Sequence, residues 1–593
     1  MSGATVEPPQ MRWWGWGESR HAPGLSQHTL ELLNQVVGLS GEPRPPVALS
    51  AVTLRPSALS DSAADALRAI LGADGLRLDH RERVLHAAGK GYLDLVRLRA
   101  GAPASAPDAI LLPAKHEQIR AVLELCAERR LAVVPFGGGT SVVGGVEPLR
   151  GEHSAVLALD MRRLAGVRLD RESQIATVGA GLRAPALERA LAGAGLTLGH
   201  WPQSFEYVTL GGCAATRSAG QASSGYGGIA KMVLGARLAA PAGDIVLPAM
   251  PATAAGPDLR ELIVGSEGVL GVIDELSLRV RRAPEEHRYV GVMFEDFASG
   301  LKALRAMAQE HCLPDVARLS DPAETGISMA MAGGGGGGAS RSDGESGGSG
   351  HRGGGGGDGG GGGRLKARLG RAYLSARGFG EGASERCLAI LGFEGSAADA
   401  KSRHARALAL ARAEGGLSLG GSPGRAWLRG RFQAPYLRDE LLTYGVLVET
   451  LETATPWANL KRLHGSLTSA IAEALADQGT PGIVMCHVSH VYETGASLYC
   501  TFIAKQRFGA EADQWHAVKR AAGDAIVAGG GTITHHHAIG RDHAPWLVRE
   551  VGPEGVAALA AFKDELDPAG IMNPGKLFLG RVDPTAGPGA SDA

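Results

Sequence analysis

An apolar run over 131–134 leads straight into Pro135-Phe136-Gly137-Gly138-Gly139-Thr140-Ser141. Consecutive glycines after a strand let successive backbone N–H groups converge on one point, and the two hydroxyls that follow add donors. This constrains the fold more than any other feature: a strand ends in a loop that suits an anionic group, although a glycine-rich turn with no ligand is the more common case. The loop is not a P-loop, because no Lys-Ser/Thr pair follows it. Nor does it open a long helix within a βαβ unit, as a G-x-G-x-x-G turn does. A strand is predicted over 109–113, a helix over 116–130 from the spacing of Ile119, Val122, Leu123 and Cys126, and a strand over 131–135. Short strands and glycine turns then alternate to 282, which describes an α+β region.

The chain of 593 residues is long enough for two or more domains. Its net charge of −1 argues against a protein that binds nucleic acid over its whole surface. Glycine is in excess, 88 in all, and 20 of the 31 residues 333–363 are glycine. That tract has almost no apolar side chain to bury and is expected to be a disordered insert. The remaining surplus is scattered and is expected where backbone must approach a ligand closely. Six cysteines, Cys126, Cys213, Cys312, Cys387, Cys486 and Cys500, make no C-x-x-C pair and no zinc spacing. They read as isolated buried thiols in a reducing compartment. There is no signal-peptide pattern, no long apolar stretch, and no peroxisomal tripeptide in the terminal Ser591-Asp592-Ala593. A cytoplasmic protein is expected. The tryptophan-rich segment Met11-Arg12-Trp13-Trp14-Gly15-Trp16-Gly17 is costly to leave in water and is expected to dock on the body.

Three further loops follow the first. They are Gln203-Ser204-Phe205-Glu206-Tyr207-Val208-Thr209-Leu210-Gly211-Gly212, then Thr216-Arg217-Ser218-Ala219-Gly220, then Gly265-Ser266-Glu267-Gly268-Val269-Leu270-Gly271-Val272-Ile273. Taken in order with residues 135–141, they resemble the FAD-binding domain of the vanillyl-alcohol oxidase type, over roughly 106–283. The resemblance implies a non-covalently bound FAD whose pyrophosphate and isoalloxazine lie among residues 135–141, His200, 203–209, 216–219 and 267–273.

Members of this family differ in their second domain. D-2-hydroxy-acid dehydrogenases carry H-x-G-D-G-N-L-H. Here the corresponding stretch is Cys486-His487-Val488-Ser489-His490-Val491-Tyr492-Glu493-Thr494-Gly495-Ala496-Ser497-Leu498-Tyr499. The Gly-Asp-Gly-Asn core is missing and Tyr499 replaces the last histidine, so no metal site is expected, although His487 and His490 are ligand types. Other landmarks resemble the alkyldihydroxyacetonephosphate synthase family. They are the tryptophan arm, Gly199-His200-Trp201-Pro202, Tyr436-Leu437-Arg438-Asp439, the run 449–457, and Gly529-Gly530-Gly531-Thr532-Ile533-Thr534-His535-His536-His537-Ala538-Ile539-Gly540.

That resemblance implies a transferase. It exchanges the acyl group of acyl-dihydroxyacetone phosphate for a fatty alcohol, through a covalent flavin adduct, in ether-lipid synthesis. Tyr499 falls on the family's catalytic tyrosine, and a phenol of depressed pKa would serve as base. His535, His536 and His537 follow a predicted strand, so alternation would put His535 and His537 on one face. In the family this run is needed for activity, which implies shuttling of protons and binding of the phosphate or the departing carboxylate; histidine and arginine cations would hold the phosphate. Arg438, on an amphipathic helix predicted to run to Val448, matches the substrate arginine, and Arg318 a second required one. Thr450 occupies a position where the family can carry serine, and His200 and Thr209 match flavin-side positions. A homodimer and peripheral membrane contact are further implications.

The expected fold class is α+β: a two-subdomain FAD-binding domain plus an α+β substrate (cap) domain, with helical N- and C-terminal extensions. The expected boundaries are 1–105, 106–283, 284–530 and 531–593. Two rivals stand beside the transferase: an FAD-linked oxidase or dehydrogenase of a hydroxy acid or alcohol, and a lipid-binding protein that has lost its chemistry. Because the tract 333–363 supplies nothing to a packed core, a variant lacking most of it is expected to purify with its flavin. A colourless deletion variant would overturn that expectation.

Overall fold

The computed structural model describes residues 10–18, 24–25, 27–39, 42–333 and 385–578. The glycine tract from 334 onward and the tail from 579 lie outside the described residues. The strand Leu131–Phe136 pairs in parallel with Ala155–Asp160, which pairs in parallel with Ala109–Leu111. The two-residue strand Leu76–Arg77 adds to Ala109–Leu111 in the antiparallel sense. All six residues of Ala155–Asp160 are buried, and the first five are apolar, a pattern suited to a parallel sheet covered on both faces. The helix His116–Arg129 buries the four apolar residues that predict it. The free edge of Leu131–Phe136 is closed by the end of the chain. Val133 N–H donates to the Ile571 carbonyl at 2.8 Å, and Asn573 N–H donates to the Val133 carbonyl at 2.8 Å.

A second sheet is antiparallel throughout, in the order Val167–Asp170, Ile175–Gly179, Val272–Arg279, Val233–Ala240, Gly243–Leu247. These two sheets are the two halves expected of the cofactor domain. The third sheet has seven strands, in the order Leu417–Gly420, Glu286–Phe294, Cys387–Gly395, Val316–Ser320, Ile483–Val491, Gly495–Lys505, Val446–Pro456. Its side chains alternate between two environments. One face carries Leu447, Leu451, Cys486, Val488, Leu498, Cys500 and Phe502, which pack beneath helices that include Phe297–Gln309, Ala397–Ala413, Trp457–Asp477 and Glu511–Ala528. The opposite face is mixed, with Val448, Met485 and Ile503 beside polar side chains. Register places Glu452, Tyr499 and His487 directly side by side across three strands.

The tryptophan arm docks as expected. Trp16 is buried, packs edge-on to Tyr207 with ring centroids 5.4 Å apart, and donates its backbone N–H to the Asp439 carboxylate. Arg12 lies 3.8 Å from the same carboxylate and donates to the Trp16 carbonyl. Gly17 has φ +74°, and a Cβ there would overlap the Tyr436 ring. One expected helix is shorter than its pattern. The helix bearing Arg438 is Ala434–Thr443; Gly445, at φ +70°, turns the chain into Val446–Pro456, so Val448 and Thr450 are strand residues. The β-branched content of that segment outweighs its helical spacing.

Asp439 is fully buried and is the anchor of the arm. Asp439→Ala is expected to weaken docking by about 3 kcal/mol, leaving Arg12 without its buried partner. Tryptic cleavage after Arg12 should then accelerate; an unchanged cleavage rate would count against the anchor.

Candidate functional site

A cavity of about 550 Å³ lies between the cofactor loops and the mixed face of the seven-stranded sheet. Pro135, Phe136, Gly137, Gly138, Gly139, Thr140 and Ser141 all line it. So do Gln203, Ser204, Val208, Thr209, Thr216, Ser218, Ala219, Glu267, Gly268, Gly271 and Ile273. The remaining predicted cofactor residues lie off its wall. His200 stands behind Ser218, its Nε2 3.2 Å from Oγ, and Phe205 stacks between Trp201 and Phe432. Glu206 accepts from the Tyr436 hydroxyl, Tyr207 supports Trp16, and Arg217 reaches outward to Glu261. Val269, Leu270 and Val272 are buried among apolar side chains. All these side chains are engaged within the protein.

The wall fits a dinucleotide. Thr140, Ser141, Ser204, Thr216 and Ser218 offer hydroxyls. Gln203 Nε2 and Gln221 Oε1 are buried there without partners, one donor and one acceptor left over. The three glycines are required by the protein itself as well. A Cβ on Gly137 would overlap Thr209 Oγ1, one on Gly138 the Tyr207 carbonyl, and one on Gly139 would lie 2.6 Å from the Phe136 ring.

At the other side of the cavity the three histidines do not follow a strand. Residues 531–540 form an irregular loop, so strand alternation does not apply to them. The backbone curls around the buried carboxylate of Glu452. His535, His536 and His537 each donate their backbone N–H to it, at 2.6, 2.8 and 2.8 Å, and Thr534 Oγ1 donates at 2.8 Å. Farther along, Ile539 and Gly540 donate their N–H groups to Glu267, at 2.8 and 2.6 Å. His536 and His537 line the cavity and His535 does not. Instead, His535 Nε2 meets Tyr492 Oη at 2.5 Å and its Nδ1 meets His536 Nδ1 at 2.9 Å.

Ring and carboxylate atoms of His490, His535 and His536, and of Glu452, His536 and His537, come within 4.8 Å of one another, the spacing of metal ligands. Yet these donors are already engaged: His535 on both nitrogens, Glu452 by four hydrogens, and His490 Nδ1 by Ser223 Oγ at 2.5 Å.

Tyr499 stacks on His487 with centroids 5.0 Å apart and meets the His537 ring edge-on at 5.7 Å. Burial pushes its phenol up to about 12, while the Thr450 hydroxyl pulls the other way. The depressed pKa expected of a phenolate base is therefore not present. Arg318 also lines the cavity. It donates to Glu324 at 2.6 Å and to His487 Nε2 at 2.8 Å, and His487 Nδ1 lies 3.1 Å from Glu324. Burial opposes the Glu324 charge, but Arg318 and His487 outweigh it and hold the carboxyl well below its usual range. Arg438 reaches the wall with Nε and Nη2 on Asp439 and Nη1 on the Lys90 carbonyl at 2.6 Å. Its pair with Asp439 is thus buried, and only part of its fork is left for a ligand.

His535 and His537 are not cations at neutral pH. Burial depresses His535 to about 4 and His537 to about 3, against the opposing pull of Glu452. Glu452, Glu324 and Tyr492 carry no sequence signal. A lone acid in a strand-like run and a tyrosine beside a turn are ordinary, and only the register brings them to the histidines. Trp16, expected as a latch, also lines the cavity.

Residues 107–247 match the model of an FAD binding domain, and residues 283–577 that of the C-terminal domain of FAD linked oxidases. The chain is 30% identical to the alkyldihydroxyacetonephosphate synthase of Dictyostelium discoideum, over 98% of this chain and 96% of that protein. It is 32% identical to the enzyme of that name from Trypanosoma brucei brucei, over 96% and 92%. A solved alkyldihydroxyacetonephosphate synthase superposes with a TM-score of 0.79 at 28% identity, covering 95% of this chain and 98% of that one. A p-cresol methylhydroxylase with bound substrate shares the fold, with a TM-score of 0.61 at 14% identity, over 88% and 98%.

The buried neutral imidazoles link stability to pH. Their folded pKa values lie below the ordinary value of 6.5, so the unfolded chain binds more protons between there and about 4. Stability is therefore complete above 6.5 and falls as the pH drops through about 4. A melting-temperature series over that range should show a shallower fall for His537→Asn than for the wild type. Parallel curves would contradict the sign argument.

Proposed function

This chain belongs to the alkyldihydroxyacetonephosphate synthase family of FAD-linked enzymes, and we propose from that premise that it exchanges the acyl group of acyl-dihydroxyacetone phosphate for a fatty alcohol. One observation carries the reading: the cofactor loops, the histidine loop, Tyr499, Arg318 and Arg438 all open onto a single cavity. When bound, FAD supplies an electron-rich ring nitrogen for the glyceryl carbon.

The protein's own residues do the rest. Arg318 and the free part of the Arg438 fork receive the phosphate, each already held in place by a buried carboxylate. His536, on the cavity wall with its Nδ1 against His535, offers its Nε2 lone pair to accept a proton beside the carbonyl, and His537 next to it is kept neutral by burial. Tyr499 keeps its proton at neutral pH and donates a hydrogen bond to the departing acyloxy oxygen. Leu437, Leu441, Val448, Met485 and Ile503 on the wall suit an alkyl chain. No cysteine lines the cavity among the described residues, and the flavin is proposed to be held without a covalent bond. The same reading includes a homodimer in the cytoplasm that touches membrane surfaces peripherally. Among the described residues no helix is long and apolar enough to cross a membrane.

Incubation with palmitoyl-dihydroxyacetone phosphate and labelled hexadecanol should yield a labelled ether. Tyr499→Phe and Arg318→Lys should each lower kcat by about 10²-fold or more. Acid precipitation should release the flavin to the supernatant. Reduction of the flavin by a hydroxy acid, with no ether formed, would replace this reading by that of a dehydrogenase.

A further inference from the structure

His535 stands behind the cavity wall, yet both of its ring nitrogens are hydrogen-bonded. Its Nδ1 and the Nδ1 of His536 are 2.9 Å apart, so one proton must lie between them, since two lone pairs would repel. The 2.5 Å contact to Tyr492 then pairs the other His535 nitrogen with a phenol oxygen. Tyr492 is half-buried and sits in the turn between Ile483–Val491 and Gly495–Lys505, where the next two residues, Glu493 and Thr494, are exposed. A continuous line of hydrogen bonds thus leads from the cavity wall, through two imidazoles, to a phenol at a surface hairpin. Its surroundings fix it tightly. His490 stacks on the His535 ring at 4.8 Å, His537 and Tyr499 flank His536, and the Glu452 carboxylate lies 3.8 Å from His535 Nδ1 and 3.4 Å from His536 Nδ1.

We propose that Tyr492, His535 and His536 form a proton relay between the cavity and solvent, with Glu452 as its positioning residue. The relay rests on the exchange reaction proposed above, which must take a proton from the glyceryl carbon. A proton accepted at His536 Nε2 is matched by passage of the His536 Nδ1 proton to His535 Nδ1. The His535 Nε2 proton passes to Tyr492 Oη, and the phenolic proton leaves to water. One proton enters, one leaves, and no bond between heavy atoms changes; the reverse passage restores the start. Glu452 acts twice. Its oxygens take the backbone N–H groups that set the two rings at contact distance, and its charge offsets the imidazolium that forms in transit.

The test compares wild-type, Tyr492→Phe and Glu452→Gln full-length FAD-loaded protein in the alkyl-exchange assay, in light and heavy water. Tyr492→Phe should lower kcat by about 10²-fold, with KM and the flavin spectrum unchanged and a larger solvent isotope effect. Glu452→Gln should do likewise, with activity partly restored in Glu452→Asp. A Tyr492→Phe enzyme within about twofold of wild type, with the same isotope effect, would remove the relay while leaving the exchange reaction standing. A wild-type enzyme that makes no ether would remove the exchange reaction instead. The relay is then read without turnover, from nitrogen-labelled histidine spectra. Wild type should show a strongly hydrogen-bonded proton on His535 Nε2, and Tyr492→Phe should lose that hydrogen-bond shift; an unchanged Nε2 proton signal would overturn the relay.

Discussion

A carboxylate taken out of water is tolerated only where donors replace its hydration, and Glu452 has four of them. Three are successive backbone N–H groups, so the acid dictates a backbone shape and not merely a side-chain contact. The loop it shapes would otherwise be a run of imidazoles with no regular structure. A second acid, Glu267, holds the next turn of the same loop from the opposite side of the cavity. The histidine loop is therefore strung between a strand of the substrate sheet and a cofactor loop. The two halves of the site are set against each other through five main-chain hydrogen bonds to two carboxylates.

The two acids are not electrically alike. Burial opposes the charge of Glu452, but His536 and His537 beside it and the four hydrogen bonds it accepts outweigh that and keep it ionised well below the usual carboxylate range. Burial pushes Glu267 up to about 7, against the N–H groups of Ile539 and Gly540 and the charge of Lys576. One anchor is thus permanent at neutral pH, and the other changes charge in the range where cells live.

Much of the fold is legible in the sequence because it rests on local rules. The period of Ile119, Val122, Leu123 and Cys126 forecasts a helix, and the glycine loops forecast the ends of strands. The cavity-lining loops at 135–141 and 216–219 are found where the residues predict them, apart from Arg217. What is not legible depends on register. Thr450 reads as a helix end because Arg438 and its neighbours have helical spacing, and only Gly445 betrays the turn. The faces of His535 to His537 are misjudged because strand alternation presumes a ladder partner, whereas a carboxylate 83 residues away supplies the partner. The acid–base states of Tyr499 and the histidines follow from burial, which no local pattern records.

The closing of the first sheet by residues 571–573 bears on how the protein is made. Asn573 Nδ2 donates to the carbonyl of Gly145, 428 residues earlier, and to that of Glu267. The cofactor domain is encoded early, but its edge strand waits for residues 571–573. A ribosome must finish the substrate sheet before the first sheet loses its open edge, so the nascent protein carries an adhesive strand through most of its synthesis. Truncation at the C-terminus would then damage the N-terminal domain first.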